Sequence, residues 1–573
     1  MRREGGRLVP VDRDAAVAAV AAAAAECGRA GLSVMVVDRR PGRVVSAAWR
    51  EWLATLPAGV HASPSGEDAT LAVLAEAAGA PFGLDLERTK TIVSFGTPIP
   101  GGWGRPGRVL AARRGLRVVQ VDAWRSPAAA LADEWMAIEP GSEGSLALGL
   151  ARAVAESSSG RLRAETLEAL GPFTPDRVAA RTGLDPARLS ALARALVADG
   201  PAVAVGGGDA GGGPLGRDVE RAIALLNVAL GSVGAPGGFV ARRPLPGAPP
   251  APAPLEDVPA ASVGLVLLDA ADDGRALPWA AVARTLAPDA LVVSLSPFDA
   301  GLAAHASLLV PAPAPLEALD ETLPAADDAA ATWALAPAIL SAPEGATGAV
   351  TLVRRLAAAG GRAVSGDSLE ARLQARAAAL LAAGRGRFLA RGEREWPDAA
   401  PADASAAWTT LVEGGLWIDG PAPAVAAAAP PPPSPAALAE WAAPSPAGNG
   451  LALVAFAARG AAGSTPVSPL LTKLYQETEL RPAPSVALLH PRTAASLGVV
   501  DGQPVAIEGE AGRASAAVRT DPSLPPGRLA LAAGPDRAAL QPRARGDAAG
   551  ALAVAGTAAD GTWRKARVRV REA

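Results

Sequence analysis

Cysteine is almost absent: Cys27 is the only one in 573 residues. That excludes an internal disulfide and any iron–sulfur cluster held by this chain's own thiolates. Its setting, Ala25-Glu26-Cys27-Gly28 at the end of an alanine-rich run, reads as a small core residue. Aromatic residues make up 3% of the chain, with a single tyrosine. Lysine is scarce beside arginine, which reads as a GC-rich genome rather than a function. The formal net charge of −3 gives no reason to expect nucleic acid as a partner. No run reaches the roughly 18 apolar residues of a membrane-spanning helix. The start, Met1-Arg2-Arg3-Glu4-Gly5-Gly6, has two arginines but no apolar stretch behind them, so it does not read as an export signal. Work outside the cytoplasm would need a signal carried by a partner or by an upstream start. The expected location is the cytoplasm, or a membrane reached through partners.

What is present is a long chain, half of it hydrophobic. A single core stops growing well below this length, so several domains are expected. The most informative stretch runs from Lys90 to Ser157. Thr91-Ile92-Val93-Ser94-Phe95-Gly96 is a short apolar run ending in glycine, followed by a loop containing Pro98, Pro100, Gly101, Gly102 and Gly104. Arg117-Val118-Val119-Gln120-Val121-Asp122 is a second apolar run, ending in an acid. Two buried strands that stop where loops begin are how a parallel sheet presents a ligand at its carboxyl edge. An acid closing the second strand suits a nucleotide hydroxyl or base edge. Pro140-Gly141-Ser142-Glu143-Gly144 then opens a helix, where Leu146, Leu150 and Val154 share an apolar face.

These residues resemble the molybdopterin oxidoreductases, the superfamily of the dimethyl sulfoxide reductases. The family pattern is a strand, "G-x-N-P", a strand ending in Asp, "A-D-x-W-x-x-I", then "P-G-T-D-G/A". The matching residues are Phe95-Gly96-Thr97-Pro98, Val121-Asp122, Ala132-Asp133-Glu134-Trp135-Met136-Ala137-Ile138 and Pro140 to Gly144. Thr97 stands for Asn, Trp124 stands where many members have Arg, and Glu143 stands for Asp. Gly6 to Val11 resembles the segment that follows the family's amino-terminal iron–sulfur domain, and no counterpart of that domain precedes it here.

Further along, Ala202-Val203-Ala204-Val205 leads into Gly206-Gly207-Gly208-Asp209-Ala210-Gly211-Gly212-Gly213, which contains G-x-G-x-x-G. A nicotinamide fingerprint would also need an acid closing a strand about 20 residues on; that distance falls at Gly231 to Gly234, which weakens the dehydrogenase reading. The family places a glycine loop here too, and Ala222 to Gly238 follows its pattern, with Asn227, Gly231, Gly234, Pro236, Gly237 and Gly238 in place. Near the carboxyl end, Leu489-His490-Pro491 and Leu497-Gly498 to Val505 resemble the family's dinucleotide-binding domain. A short helix, a glycine and an Asp-Gly turn into a strand set a barrel corner there.

The resemblance implies two Rossmann-like α/β units, one inserted in the other, and a C-terminal double-psi-type β-barrel. It places the first unit at 1–60 and 240–420, the inserted one at 61–239, a Pro/Ala-rich linker at 421–450 and the barrel at 451–573. It also implies a molybdopterin guanine dinucleotide cofactor around molybdenum or tungsten. Gly96, Thr97 and Pro98 would approach a pyrophosphate, Asp122 and Glu143 would read one guanosine, and Gly206, Gly207 and Gly208 would face the pterin side. His490 would meet the cofactor from the barrel, or cap the helix that follows. The metal ligand belongs in the connection at 61–90, where Ser63, Ser65 and Asp68 are the ligand-type residues; the alternative for them is turn and cap chemistry.

Missing iron–sulfur cysteines and a weak metal ligand together imply a relative that kept the fold and lost the chemistry. Gly83 to Trp103 and Leu471 to Glu477 are most similar to sulfur reductases and to the molybdopterin-like subunits of alternative complex III and menaquinone reductase. The expectation is a subunit of a respiratory electron-transfer complex, with iron–sulfur and membrane-anchor partners and little metal. The alternative is an active bis-pterin oxidoreductase, sulfur-compound or quinone-linked, whose iron–sulfur part lies on another chain.

Overall fold

The computed structural model describes residues 1–64, 66, 68–99, 103–157, 161–209, 211–269, 277, 279–299, 301–424, 428–445, 450–456, 486–533, 550–556, 562–563 and 565–572. Ser65 and the Leu471 to Glu477 run lie outside these residues.

An eight-stranded sheet forms the first unit. Its strand order is Ala253–Pro254, Gly59–Ser63, Ser33–Asp38, Val263–Asp269, Leu286–Ser296, Leu308–Pro311, Arg2–Glu4 and Arg7–Val9. The first six run parallel; the hairpin of the last two closes one edge antiparallel. The inner strands are continuous apolar runs because helices cover both faces. Val34, Val36, Leu265 and Leu267 point to one core, with Val17 and Leu356 from the covering helices. Met35, Val37, Val266 and Leu268, one residue out of step, point to the other. The first covering helix, Arg13–Ala30, starts later than the alanine-rich pattern beginning at Val9 implies. Residues 7–9 are taken into the edge hairpin, and the Asp12 side chain accepts from the Ala15 amide to start the helix.

The second unit is a four-stranded parallel sheet in the order Glu134–Ala137, Arg117–Asp122, Thr91–Phe95 and Ala202–Val205. It is inserted between the two halves of the first. Helices Glu143–Ser157, Pro186–Ala198 and Arg217–Leu230 pack on one face through Leu146, Leu150, Leu192 and Ile223. Helix Ala69–Ala78 packs on the other through Leu71 and Leu74.

Two features differ from a plain α/β reading of 240–450. Residues 320–419 hold a four-stranded antiparallel sheet, Asp320–Thr322, Ala331–Ala336, Leu416–Asp419 and Arg387–Leu389. The Pro/Ala-rich stretch is not all extended: Ser434 caps a helix, Pro435–Ala442, that buries Trp441 against Gly144. The carboxyl end closes into the expected six-stranded barrel, ordered Leu451–Phe456, Arg528–Ala532, Val486–Leu489, Arg513–Thr520, Pro504–Glu508 and Arg567–Glu572.

Glu321 ties the antiparallel sheet to the first unit. Its carboxylate accepts from Arg376 Nη1 at 2.5 Å, from Trp333 Nε1 at 2.7 Å and from the Val44 amide. The Glu321 and Arg376 side chains are 1% and 2% exposed. Removing one partner of such a pair strands the other charge in the interior. Glu321→Ala is therefore expected to cost about 3–5 kcal/mol, against under about 0.5 kcal/mol for Glu156→Gln in the exposed Arg152–Glu156 pair. Chemical denaturation of the two variants measures the contrast; equal losses would contradict it.

Candidate functional site

Thr91–Phe95, Arg117–Asp122 and Ala202–Val205 run parallel, so Gly96, Asp122 and Gly206 emerge at one edge of the second sheet. Gly96 turns the chain with φ of 73°, and its amide donates to Val121 O. Thr97 is fully buried. Its hydroxyl donates to Gly206 O at 2.5 Å, and its carbonyl accepts from Ser94 Oγ and Gln120 Nε2. The two loops read from the sequence, at 96–98 and 206–208, are thus joined.

The glycine loop has the geometry of an anion cradle. Gly207 and Gly208 have φ of 96° and 65°, and a helix begins just beyond, at Arg217. The anion it holds is the chain's own. Gly207 donates its amide to Glu220 Oε1 at 2.6 Å, and Gly206 donates to Thr70 Oγ1 at 2.9 Å. Thr70 in turn donates to Glu220 Oε2 at 2.6 Å. Glu220 is 2% exposed, and a Cβ on Gly206 would overlap its carboxylate. Glu220 lies in the first turn of Arg217–Leu230, where the helix dipole favours a negative charge. Neither Glu220 nor Thr70 is signalled by the motif; the only sequence cue is an acid in the first turn after a glycine loop.

Asp122 and Glu143 do come together, beside Trp124, Asp209 and, from the barrel, Val454 and Trp563. The space among them is about 20 Å³, enough for about one water. The Trp563 ring lies so close to Gly213 that a Cβ there would overlap it. Trp124 packs at a tilt against Phe456 with centroids 5.1 Å apart and joins a small core with Val454, Leu524 and Ala530. Arg528 reaches from the barrel to Ala123 O and, at 3.0 Å, to Glu139. His490 serves as a cap: its Nδ1 accepts from the Arg492 amide at 3.0 Å, opening helix Pro491–Leu497.

The first sheet has matching acids that motif reading passed over. Strands Ser33–Asp38 and Val263–Asp269 each end in Asp, the signature that singled out Asp122. Asp38 accepts from Ser46 Oγ at 2.5 Å and lies 3.2 Å from His61 Nε2. Asp269 accepts from Trp49 Nε1 at 2.6 Å. Arg43 sits 3.8 Å from both carboxylates and 3.7 Å from Asp320. Burial alone would push the Asp38 carboxyl up, but His61, Arg43 and Ser46 hold it below its ordinary value. Burial would likewise lower Arg43, yet Asp269, Asp38 and Asp320 raise it.

Ser63 ends its strand half-buried, with Oγ 3.3 Å from Pro64 O. Asp68 is exposed at the start of helix Ala69–Ala78 and makes no side-chain cap bond. No cluster of three or more His, Cys, Asp or Glu able to hold a metal occurs among the described residues.

Residues 472–558 match the family profile described as Molydopterin dinucleotide binding domain. Over 181 residues the chain is 32% identical to the menaquinone reductase, molybdopterin-binding-like subunit, of Nitratidesulfovibrio vulgaris. That alignment covers 29% of this chain and 26% of the relative, so the match spans about a quarter of the relative's length. The fold matches that of acetylene hydratase from Pelobacter acetylenicus with a TM-score of 0.67, covering 100% of this chain and 90% of that one at 15% identity. The chain thus carries a stretch that matches a molybdopterin dinucleotide binding domain, and as a whole it shares the fold of acetylene hydratase.

The described residues nonetheless fit the pterin dinucleotide of such a domain poorly. A phosphate at Gly206 and Gly207 would meet the Glu220 carboxylate, and the space between Asp122, Glu143 and Trp563 does not admit a guanosine. In the first sheet, Asp38 and Asp269 are already bonded to Ser46, His61 and Trp49.

Two outcomes are expected. Glu220→Ala should cost about 1–3 kcal/mol through the buried Gly207 amide it orphans, and hydrogen exchange at Gly206 and Gly207 should speed up selectively. Exchange at both amides that is fast in the wild type would contradict the closed loop. Asp38, depressed when folded, contributes stability that is fully present above its unfolded value of about 3.9 and is lost as pH falls through the folded value. The stability gap between wild type and Asp38→Asn should therefore be constant near neutrality and close in acid, as pH-dependent denaturation would record.

Proposed function

We propose that this chain is a subunit of a respiratory electron-transfer complex that has kept the molybdopterin oxidoreductase fold and given up its metal chemistry. The observation that carries this reading is the Glu220 carboxylate in the glycine loop, bonded to Gly207 and Thr70. A buried carboxylate and a phosphate compete for the same amides, and the two charges repel. The dinucleotide-domain match supports molybdopterin guanine dinucleotide as the ligand class of this fold. What opposes its retention is the closure of the glycine loop and of the space beside Asp122. Partner subunits are supported by the named relative, itself called a subunit. No helix among the described residues is long and apolar enough to cross a membrane; this reading puts the membrane anchor on another chain. Such a partner is expected on helix Arg13–Ala30 and on the connection at 61–90.

The second reading is an active molybdenum or tungsten enzyme with its iron–sulfur part on a partner. It is favoured by one observation, that Asp122 and Glu143 line one space at the carboxyl edge. In that case the pterin dinucleotide would supply the redox metal, with Ser63, Ser65 or Asp68 as its protein ligand.

Elemental analysis and acid release of guanine nucleotide, on the chain purified from its native host, separate the two. The scaffold reading expects no iron, little molybdenum or tungsten, and co-purifying subunits. Near-stoichiometric molybdenum, abolished by Ser63→Ala or Ser65→Ala, would restore the enzyme.

A further inference from the structure

The first unit contains a cavity remote from the glycine loop and the Asp122 edge. It has a volume of about 240 Å³ and lies beneath helix Arg13–Ala30, against the sheet and helix Ala349–Ala359. Its walls are apolar, with Val17 and Val20 from the first helix, Leu267 and Val293 from the sheet, and Leu352 and Leu356 from the second helix. The cause lies in the sequence: the first helix presents alanine and valine where leucine would have filled the gap. Two cations also line the cavity, Arg13 and Arg355. Arg13 Nη2 donates to Gly345 O at 3.2 Å, and Arg355 Nη1 lies 3.3 Å from Asp14 in an exposed pair. A guanidinium has five N–H donors, so these long contacts leave both arginines able to bind an anion.

We propose that this cavity binds a single-chain carboxylate, a medium-chain fatty acid, with its tail among the valines and leucines and its carboxylate between Arg13 and Arg355. At roughly 30 Å³ for each water-sized group, the space holds about eight carbons. A two-chain phospholipid does not fit, and a neutral isoprenoid would leave the arginines unused. Apolar walls with a few placed polar groups are the usual make-up of a small-molecule site. The site is separate from the glycine loop and does not depend on the scaffold reading.

Calorimetric titration of the full chain with hexanoate, octanoate, decanoate, dodecanoate and 1-octanol tests this. One-to-one binding is expected, tightening about fourfold per methylene up to about eight to ten carbons and then levelling off. 1-Octanol should bind at least about tenfold more weakly than octanoate. The Arg13→Ala/Arg355→Ala double variant, changed only at the rim, should erase that difference, and Ala16→Phe should abolish binding without lowering the melting temperature. No binding at millimolar octanoate would overturn the proposal. So would equal affinity for octanoate and octanol, or affinity that climbs past dodecanoate as in surface adsorption. Co-sedimentation with phosphatidylglycerol vesicles in the absence of octanoate binding would overturn it in favour of a membrane surface.

Discussion

The contact between the Glu220 carboxylate and the Gly207 amide organises the centre of this molecule. A glycine loop at the end of a parallel strand exposes amides that need an acceptor, because a buried unpaired N–H is expensive. In a nucleotide-binding protein the acceptor is a phosphate. Here it is a side chain one helical turn into the following helix, with Thr70 bridging from another helix. The loop is thereby complete without a ligand. Thr97, whose hydroxyl holds Gly206 O, fastens the neighbouring loop to the same structure.

The same logic recurs at both sheet edges. Strand-end acids are useful where a ligand supplies donors; without one they need donors from the protein. At the first sheet Trp49, Ser46 and His61 supply them, with the Arg43 charge 3.8 Å away. At the second, the barrel closes over Asp122 and Glu143 with Trp563 and with the tilted Trp124–Phe456 pair. Trp124 is the informative substitution: an arginine there would place a cation at the edge, whereas an indole contributes apolar area to the barrel contact.

Most of the architecture was legible from local patterns. Continuous apolar strands, glycines that require positive φ such as Gly96, and the helix–Gly498–turn–strand sequence of the barrel corner are all short-range signals. The two loops read as a site are indeed adjacent. What closes them was not legible. Thr70 and Gly206 are far apart in sequence, as are Trp563 and Gly213, and no spacing rule reports contacts made by packing. For His490 the sequence allows ligand or cap, and only the structure shows its Nδ1 accepting from the Arg492 amide. The antiparallel sheet of 320–419 escaped notice because its strands are short and separated by helices. Asp38 and Asp269 were missed although they carry the strand-end signature, because no family motif drew attention to them.

A fold that evolved around a large buried ligand draws stability from that ligand by mass action. Losing the ligand leaves polar groups facing an empty space, and the chain must replace each lost contact or unfold locally. On the proposed reading the occupants here are charges and hydrogen bonds rather than apolar filling: the Glu220 carboxylate in the glycine loop, and the Arg43 charge 3.8 Å from Asp38 and Asp269. Such pairs stabilise little relative to a packed apolar core, but they preserve the backbone geometry of the loops. That geometry positions the second unit against the barrel through Arg528, whose guanidinium meets Ala123 O and Glu139 just past the Asp122 strand. In a scaffold subunit, the surfaces shared with neighbouring chains are what the fold must hold in place. Under the proposed scaffold reading, loops with internal occupants such as Glu220 meet that requirement without a bound group.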